Sequence, residues 1–135
     1  MQNQLLDKAG AAREYAIAWN SLRMNAFISL LAEDVLYESQ MVIEALEGKQ
    51  QIARYLREKI QAVKNAGTEF RVAVELGTTT YPSVEPCAIL YQGGETPIGL
   101  AFFKVGSNTI QRIDICNVPD PWGAKRSGEF RGLQR

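Results

Sequence analysis

The chain has 135 residues, the length of one domain with its own hydrophobic core. Its 15 Lys and Arg balance 15 Asp and Glu, so no net charge draws the molecule to a polyanion, and nucleic acid is not an expected partner. No apolar run approaches the roughly 20 residues of a membrane span, and the N-terminus lacks a signal peptide's basic start and apolar middle, so a cytoplasmic location is expected.

A first helix is predicted from about Asn3 to Leu22. Leu5, Ala9, Ala12, Tyr15 or Ala16, Trp19 and Leu22 recur there every three or four residues and form one buried stripe. A short helix over 26–32 follows, with Phe27, Leu30 and Leu31 at helical spacing, and Glu33-Asp34 closes it. Val35 to Ser39 has strand character, and Met41 to Leu46 follows with Glu44 as its one charge. Gly48 breaks the pattern. A third helix is predicted over 49–65 with Ile52, Leu56, Ile60 and Val63 as its stripe, and Gly67 is placed to cap it in a left-handed conformation. Everything after it reads as β: 70–76 alternates strictly, 87–91 is apolar on both faces, Gln92 to Glu95 is a hairpin turn, and strands follow over 98–105 and 110–118.

Two consecutive strands apolar on both faces are unusual for a sheet with one wet side. One face meets the helices. With no helix left for the other, a second copy of the chain is the simplest cover, and a homodimer packed sheet to sheet is expected. The alternative is a partly exposed apolar face, which is common on monomers. Residues 1–118 form the expected domain. Residues 119–135 change composition and read as an irregular, partly flexible tail, with partial order for Pro119 to Trp122 and disorder at the end. The fold class is α+β: a curved antiparallel sheet wrapped around three N-terminal helices, a cone with an internal pocket suited to a mostly apolar small molecule.

The order and spacing of Tyr15…Trp19-Asn20, Leu31-Ala-Glu-Asp-Val35, and Glu47-Gly48 followed by Ile52-Ala-Arg-Tyr-Leu56 carry a resemblance. Over about residues 5–118 the chain resembles the nuclear transport factor 2-like superfamily, with its cystatin-like α+β cone, in the SnoaL-like and ketosteroid-isomerase-like branch. The resemblance implies a helix-one tyrosine as hydrogen-bond donor, and Tyr15 stands in that place. The isomerases' proton-shuttling aspartate corresponds to Ser39, preceded by Glu38, and their protonated aspartic acid to Ala101 or a neighbour. Two of three catalytic groups are therefore missing, and steroid isomerisation is not expected. The cyclase and epoxide hydrolase branches use an aspartate on the last strand, which Asp114 matches. The hydrolases' Arg and Asp pair is absent from 87–91. The fold carries many chemistries, so it names none.

Histidine is absent, which removes Ser-His-Asp triads, Cys-His pairs and imidazole metal sites. Acid–base work near neutral pH then falls to a carboxylate of raised pKa, a tyrosine, a lysine or a cysteine. Asp114, between Ile113 and Ile115, is a candidate general base if its face is the pocket face. If the two isoleucines face the pocket, Asp114 lies on the opposite side and pairs with Arg112 or Arg71. Tyr15 is a candidate donor, or simply core. Trp19, Tyr37, Ser39, Tyr55, Leu100, Phe102 and Cys116 are candidate pocket walls, or fill the cone. Arg54, Arg57, Glu58 and Lys59 read as a solvated helix face with local ion pairs. Cys87 and Cys116 lack metal or redox spacing and read as small buried residues. Neither a metal nor a cofactor is implied. The expected function is binding of a small apolar molecule, with isomerase-, cyclase- or hydrolase-like chemistry through carboxylate acid/base catalysis. The alternative is a non-catalytic ligand-binding or association module.

Overall fold

The computed structural model describes residues 5–40, 45–67, 71–80, 83–93, 96–116 and 121–129. Helix α1 (Lys8–Ser21) starts five residues later than its apolar stripe suggests, because the Asp7 carboxylate caps it by accepting from the Gly10 N–H at 2.7 Å. Helix α2 spans Asn25–Ile28, and α3 spans Lys49–Ala66. Gly48 (φ 91°) turns the chain into α3, and Gly67 (φ 100°, ψ 174°) ends it with a positive φ outside the left-handed helical region expected of it.

The strands are β1 (Leu31–Ser39), β2 (Leu46–Glu47), β3 (Val72–Thr79), β4 (Glu85–Gln92), β5 (Pro97–Gly106), β6 (Thr109–Cys116) and β7 (Lys125–Arg126). They form one curved, unclosed mixed sheet in the order β2-β1-β6-β5-β4-β3-β7. β1 runs parallel to β6 and every other neighbour is antiparallel, so the sheet is mixed where an antiparallel one was expected. The chain between β1 and β6 includes α3 and four strands, long enough for a parallel crossover that no local pattern announces. The same pairing corrects α2. Leu31 to Asp34 belongs to β1, because Leu31 aligns with Ile110 and the Ile110 N–H donates to Leu30 O at 2.8 Å. A register shift between Leu31 and Leu36 leaves Glu33 and Asp34 both exposed.

One face of the sheet carries the main core. Val72 and Val74 of β3, Ala88 and Leu90 of β4, Ala101 and Phe103 of β5, and Ile113 and Ile115 of β6 pack against Ala11, Tyr15 and Trp19 of α1, Phe27 of α2, and Ile52, Leu56 and Ile60 of α3. Asn20 at the end of α1 clamps the helix to β3. Its amide donates to Val74 O and accepts from Val74 N, both at 2.9 Å, as a neighbouring strand would.

The opposite face has a second, smaller core of Cys87, Ile89, Tyr91 and Leu100, and its cover is the chain's own C-terminal segment. Pro121–Gly123 makes a 3-10 turn, Ala124 packs on that cluster, and β7 pairs with β3. The Ser127 N–H donates to Leu76 O and the Leu76 N–H to Glu129 O, so the segment continues along β3 and closes its free edge. It lies close enough that a Cβ on Gly77 would stand 2.8 Å from Lys125 O and 2.5 Å from Ile89 Cδ1. Trp122 stands on this segment with more than half of its surface exposed. The expectations for Met41–Glu44, for the Gly94-Glu95 part of the hairpin turn, for Pro119-Asp120 and for the last six residues lie outside the described residues.

Candidate functional site

The interior between the helices and the sheet is aromatic. The Tyr15 ring lies 5.3 Å from Phe27, 5.3 Å from Phe103 and 6.4 Å from Trp19, each edge to face. Tyr37 of β1 and Tyr55 of α3 meet at 5.2 Å. Helical spacing puts Tyr15 and Trp19 on one face of α1, and strand alternation puts Val35, Tyr37 and Ser39 on the inner side of β1. Tyr15, Trp19, Tyr37, Tyr55 and Ser39 are thus brought to one region of the cone, with Ser39 and Tyr55 half-buried at its margin.

Among the described residues named here, the polar side-chain atoms are hydroxyls and one indole N–H. Burial pushes the Tyr15 phenol well above its ordinary pKa; the Trp19 indole opposes part of that shift and a Tyr55 charge adds to it. Burial pushes Tyr37 up as well, helped by the charges Tyr15 and Tyr55 would carry and by a hydrogen bond with the Tyr55 hydroxyl. Both phenols stay protonated at physiological pH and act as donors, not bases. Trp19 Nε1 is buried and makes no hydrogen bond of good geometry, even to the nearby Tyr15 hydroxyl. A buried N–H left in that condition is costly unless an acceptor arrives.

The raised phenols make stability pH-dependent in a definite direction. Below the unfolded-state pKa of about 10 both states hold the protons and nothing changes. Above it the unfolded phenols ionise first, so folding weakens by about 1.4 kcal/mol per pH unit for each buried phenol. Urea midpoints between about pH 9 and about pH 11 should fall on this schedule, and Tyr37→Phe should make the fall shallower. A flat profile would show that the phenols ionise equally well in the folded chain.

Asp114 is not part of this region. Ile113 and Ile115 are in the main core, so Asp114 points to the opposite face. There Arg112 Nε donates to both its carboxylate oxygens, at 3.1 and 3.0 Å, and Arg112 Nη2 also contacts Glu38. The structure therefore corrects the general-base expectation. Leu100, Phe102 and Cys116 are corrected with it: Phe102 aligns with Asp114, Leu100 aligns with Cys116, and all lie on the outer face. Cys116 has a raised pKa from burial and from the Asp114 charge beside it. Burial, with a smaller contribution from Glu85, pushes the Cys87 thiol up to about 12, so neither cysteine is a ready nucleophile. Asp114→Asn should leave stability within about 1 kcal/mol and ligand affinity unchanged, measured by urea unfolding and calorimetry. A loss of affinity would return Asp114 to the site.

Among the described residues the one buried carboxylate is Glu75, and it too faces outward. It accepts from Tyr91 Oη at 2.8 Å, Arg126 Nε at 2.9 Å and Gly128 N at 2.5 Å. Three donors saturate it, which makes it an anchor for the C-terminal segment. Sequence reading passed over Glu75 within an alternating strand. Its one signal was a charge on a face otherwise apolar, but its partners lie 16, 51 and 53 residues away.

Two of the clefts formed by the described residues lie along α3. One of about 550 Å³ opens beside Tyr55, between α3 and the end of β4, with Lys59, Val63 and Gln92 on its walls. Lys59 Nζ lies 5.6 Å from the Tyr55 ring centroid. Tyr55 therefore stands between this cleft and Tyr37 in the interior. The other, about 720 Å³, runs along α3 against α2 and the start of β1.

No family model and no curated protein matches the chain. Solved structures do. A SnoaL-like protein of unknown function from Burkholderia thailandensis is 19% identical, with 83% of this chain and 97% of that one covered and a TM-score of 0.60. A nuclear transport factor 2-like protein of unknown function from Cytophaga hutchinsonii is 13% identical, with 85% and 92% covered and a TM-score of 0.58. A protein with a ketosteroid isomerase-like fold from Catenulispora acidiphila, solved in complex with trimethylamine, is 20% identical, with 81% and 85% covered and a TM-score of 0.55. Likeness at this level identifies the architecture: the chain has the α+β cone of SnoaL-like, ketosteroid isomerase-like and nuclear transport factor 2-like proteins.

Proposed function

We propose that this protein binds a mostly apolar small molecule bearing a hydrogen-bond acceptor, such as a ketone, inside the cone. The observation that carries this reading is the set of buried donors at one place: Trp19 Nε1 without a well-formed bond, beside phenols held protonated. The aromatic walls supply apolar contact, and an acceptor oxygen would satisfy the indole. The cleft beside Tyr55 is the way in. The trimethylamine bound by one neighbour supports this use of the fold for small ligands. Asp114, paired with Arg112 on the outer face, takes no part in this binding, and Tyr15 serves as a donor.

The test is calorimetry with a bicyclic ketone, 2-decalone, and its hydrocarbon, decalin. The ketone should bind more tightly than the hydrocarbon, and Trp19→Phe should remove about a tenfold share of that preference while leaving decalin unaffected. Equal affinities for ketone and hydrocarbon, with no effect of Trp19→Phe, would contradict the proposal.

A second reading concerns assembly. Half of the outer face is covered by the C-terminal segment, but the β1, β6 and β5 half carries half-buried Leu36, Phe102 and Cys116 around Glu38, Arg112 and Asp114. Two acids and a base among apolar side chains are complementary to themselves, which favours a second copy. In this reading the protein is a cytoplasmic homodimer packed through that half of the sheet. Sedimentation equilibrium should give a dimer that Arg112→Glu converts to monomer; a monomeric parent protein would end it.

A further inference from the structure

We propose that the groove along α3 is a docking site for an acidic peptide segment of a partner protein. The chain as a whole is neutral, yet α3 holds five cations (Lys49, Arg54, Arg57, Lys59 and Lys64) and one anion, Glu58. Lys49, Arg54 and Arg57 line the groove of about 720 Å³. Local ion pairs were expected to quench this face. Among the described residues none of these three cations lies within 4.0 Å of a carboxylate. The reason is in the order of charges. Arg54 precedes Glu58 by one helical turn, the weaker orientation for such a pair, since it sets each charge against the helix dipole. Arg57 instead reaches across the groove, and its Nη2 donates to Asn25 Oδ1 on α2 at 3.2 Å.

The arrangement selects among anions. Lys49 and Arg57 are eight residues apart, about 12 Å along the helix axis, too far for one phosphate to bridge. An extended peptide covers that distance in about four residues. Guanidinium groups pair with carboxylates in a bidentate fork, the mode by which arginine clusters read acidic motifs. The buried Ile28 and Ala53 give the groove an apolar floor for one side chain between the acids. Glu33 and Glu58 stand on its walls. They repel a uniformly charged polyanion such as nucleic acid and admit a segment whose acids are spaced. The groove is concave, so a flat bilayer does not enter it.

The experiment is fluorescence anisotropy of the full-length protein with a short labelled peptide of alternating glutamate and leucine. The parent protein should bind it, and affinity should fall as salt is raised. The double variant Arg54→Glu, Arg57→Glu should bind at least about tenfold more weakly. Lys64→Glu changes the charge of the same helix outside the groove and should stay within about twofold of the parent protein. All three residues changed are on the exposed side of α3, so unchanged thermal unfolding should accompany the loss. An equal loss in Lys64→Glu would reduce the effect to overall charge and overturn the proposal. So would no binding by the parent protein, or displacement of the peptide by an equal concentration of pyrophosphate, which would make the groove a small-anion site.

Discussion

Phe103→Ala should lower the free energy of unfolding by about 3–5 kcal/mol, a fall in Tm on the order of 10 °C. Phe103 is fully buried at the centre of β5, where it meets both Tyr15 and Phe27 edge to face, the latter at 6.3 Å. Its removal deletes the apolar burial of the ring and leaves a void that three elements line: α1, α2 and β5. Those elements are braced elsewhere, α1 by Asn20 on β3, so they cannot collapse freely into the gap. Phe103→Leu, which keeps most of the volume, should cost about 1–2 kcal/mol. Urea unfolding of the two variants checks the pair. A small effect of the alanine variant would mean that the interior is not packed as described.

Glu75→Ala should cost about 2–3 kcal/mol, by a different route. It leaves the buried Tyr91 hydroxyl and the Gly128 N–H without their acceptor, while Arg126, which is partly exposed, turns to water. The loss is therefore below that of a fully buried ion pair broken on one side. Because the carboxylate holds the C-terminal segment, the variant should also loosen that segment locally. Hydrogen exchange at the Ser127 and Leu76 amides, which bond across β3 and the segment, should accelerate before global unfolding. Arg126→Ala should cost less than about 1 kcal/mol and leave the Tyr91 bond intact. Global destabilisation with unchanged exchange at Ser127 would show that Glu75 serves the core and not the segment.

Much of the architecture was legible because it is written in local periodicity. The α3 stripe of Ile52, Leu56, Ile60 and Val63 is buried as its spacing requires, and the strands after Gly67 fall within a few residues of their expected places. What failed was non-local. The parallel partnership of β1 and β6 joins segments separated by the rest of the sheet, and it drew Leu31 and Ala32 out of a helix that their spacing favoured. β7 forms in a tail whose prolines, glycines and charges read as irregular, because the free edge of β3 and the Glu75 carboxylate await it.

The candidate site divided the same way. Tyr15, Trp19 and Tyr37 are interior as helical and strand spacing allow. Leu100 and Phe102 are not, because β5 is apolar on both faces and alternation cannot say which face meets the helices. Asp114 did carry the answer: two flanking isoleucines of β6 are more strongly driven to the core than one carboxylate. The charged face of α3 was legible in Arg54, Arg57, Glu58 and Lys59, but their spacing suggested local ion pairs, and a total of zero says nothing of how fifteen cations are distributed.

The account rests on Trp19 lying in a ligand-accepting interior while the sheet's other face serves packing. Only two tryptophans are present, Trp19 inside and Trp122 on the half-exposed C-terminal segment. A nitrogen–proton NMR titration with 2-decalone, following the two indole N–H signals, separates them. The Trp19 signal should move downfield to saturation as its N–H gains a carbonyl acceptor, with the Trp122 signal stationary. Movement of Trp122 alone, or of neither, would contradict it.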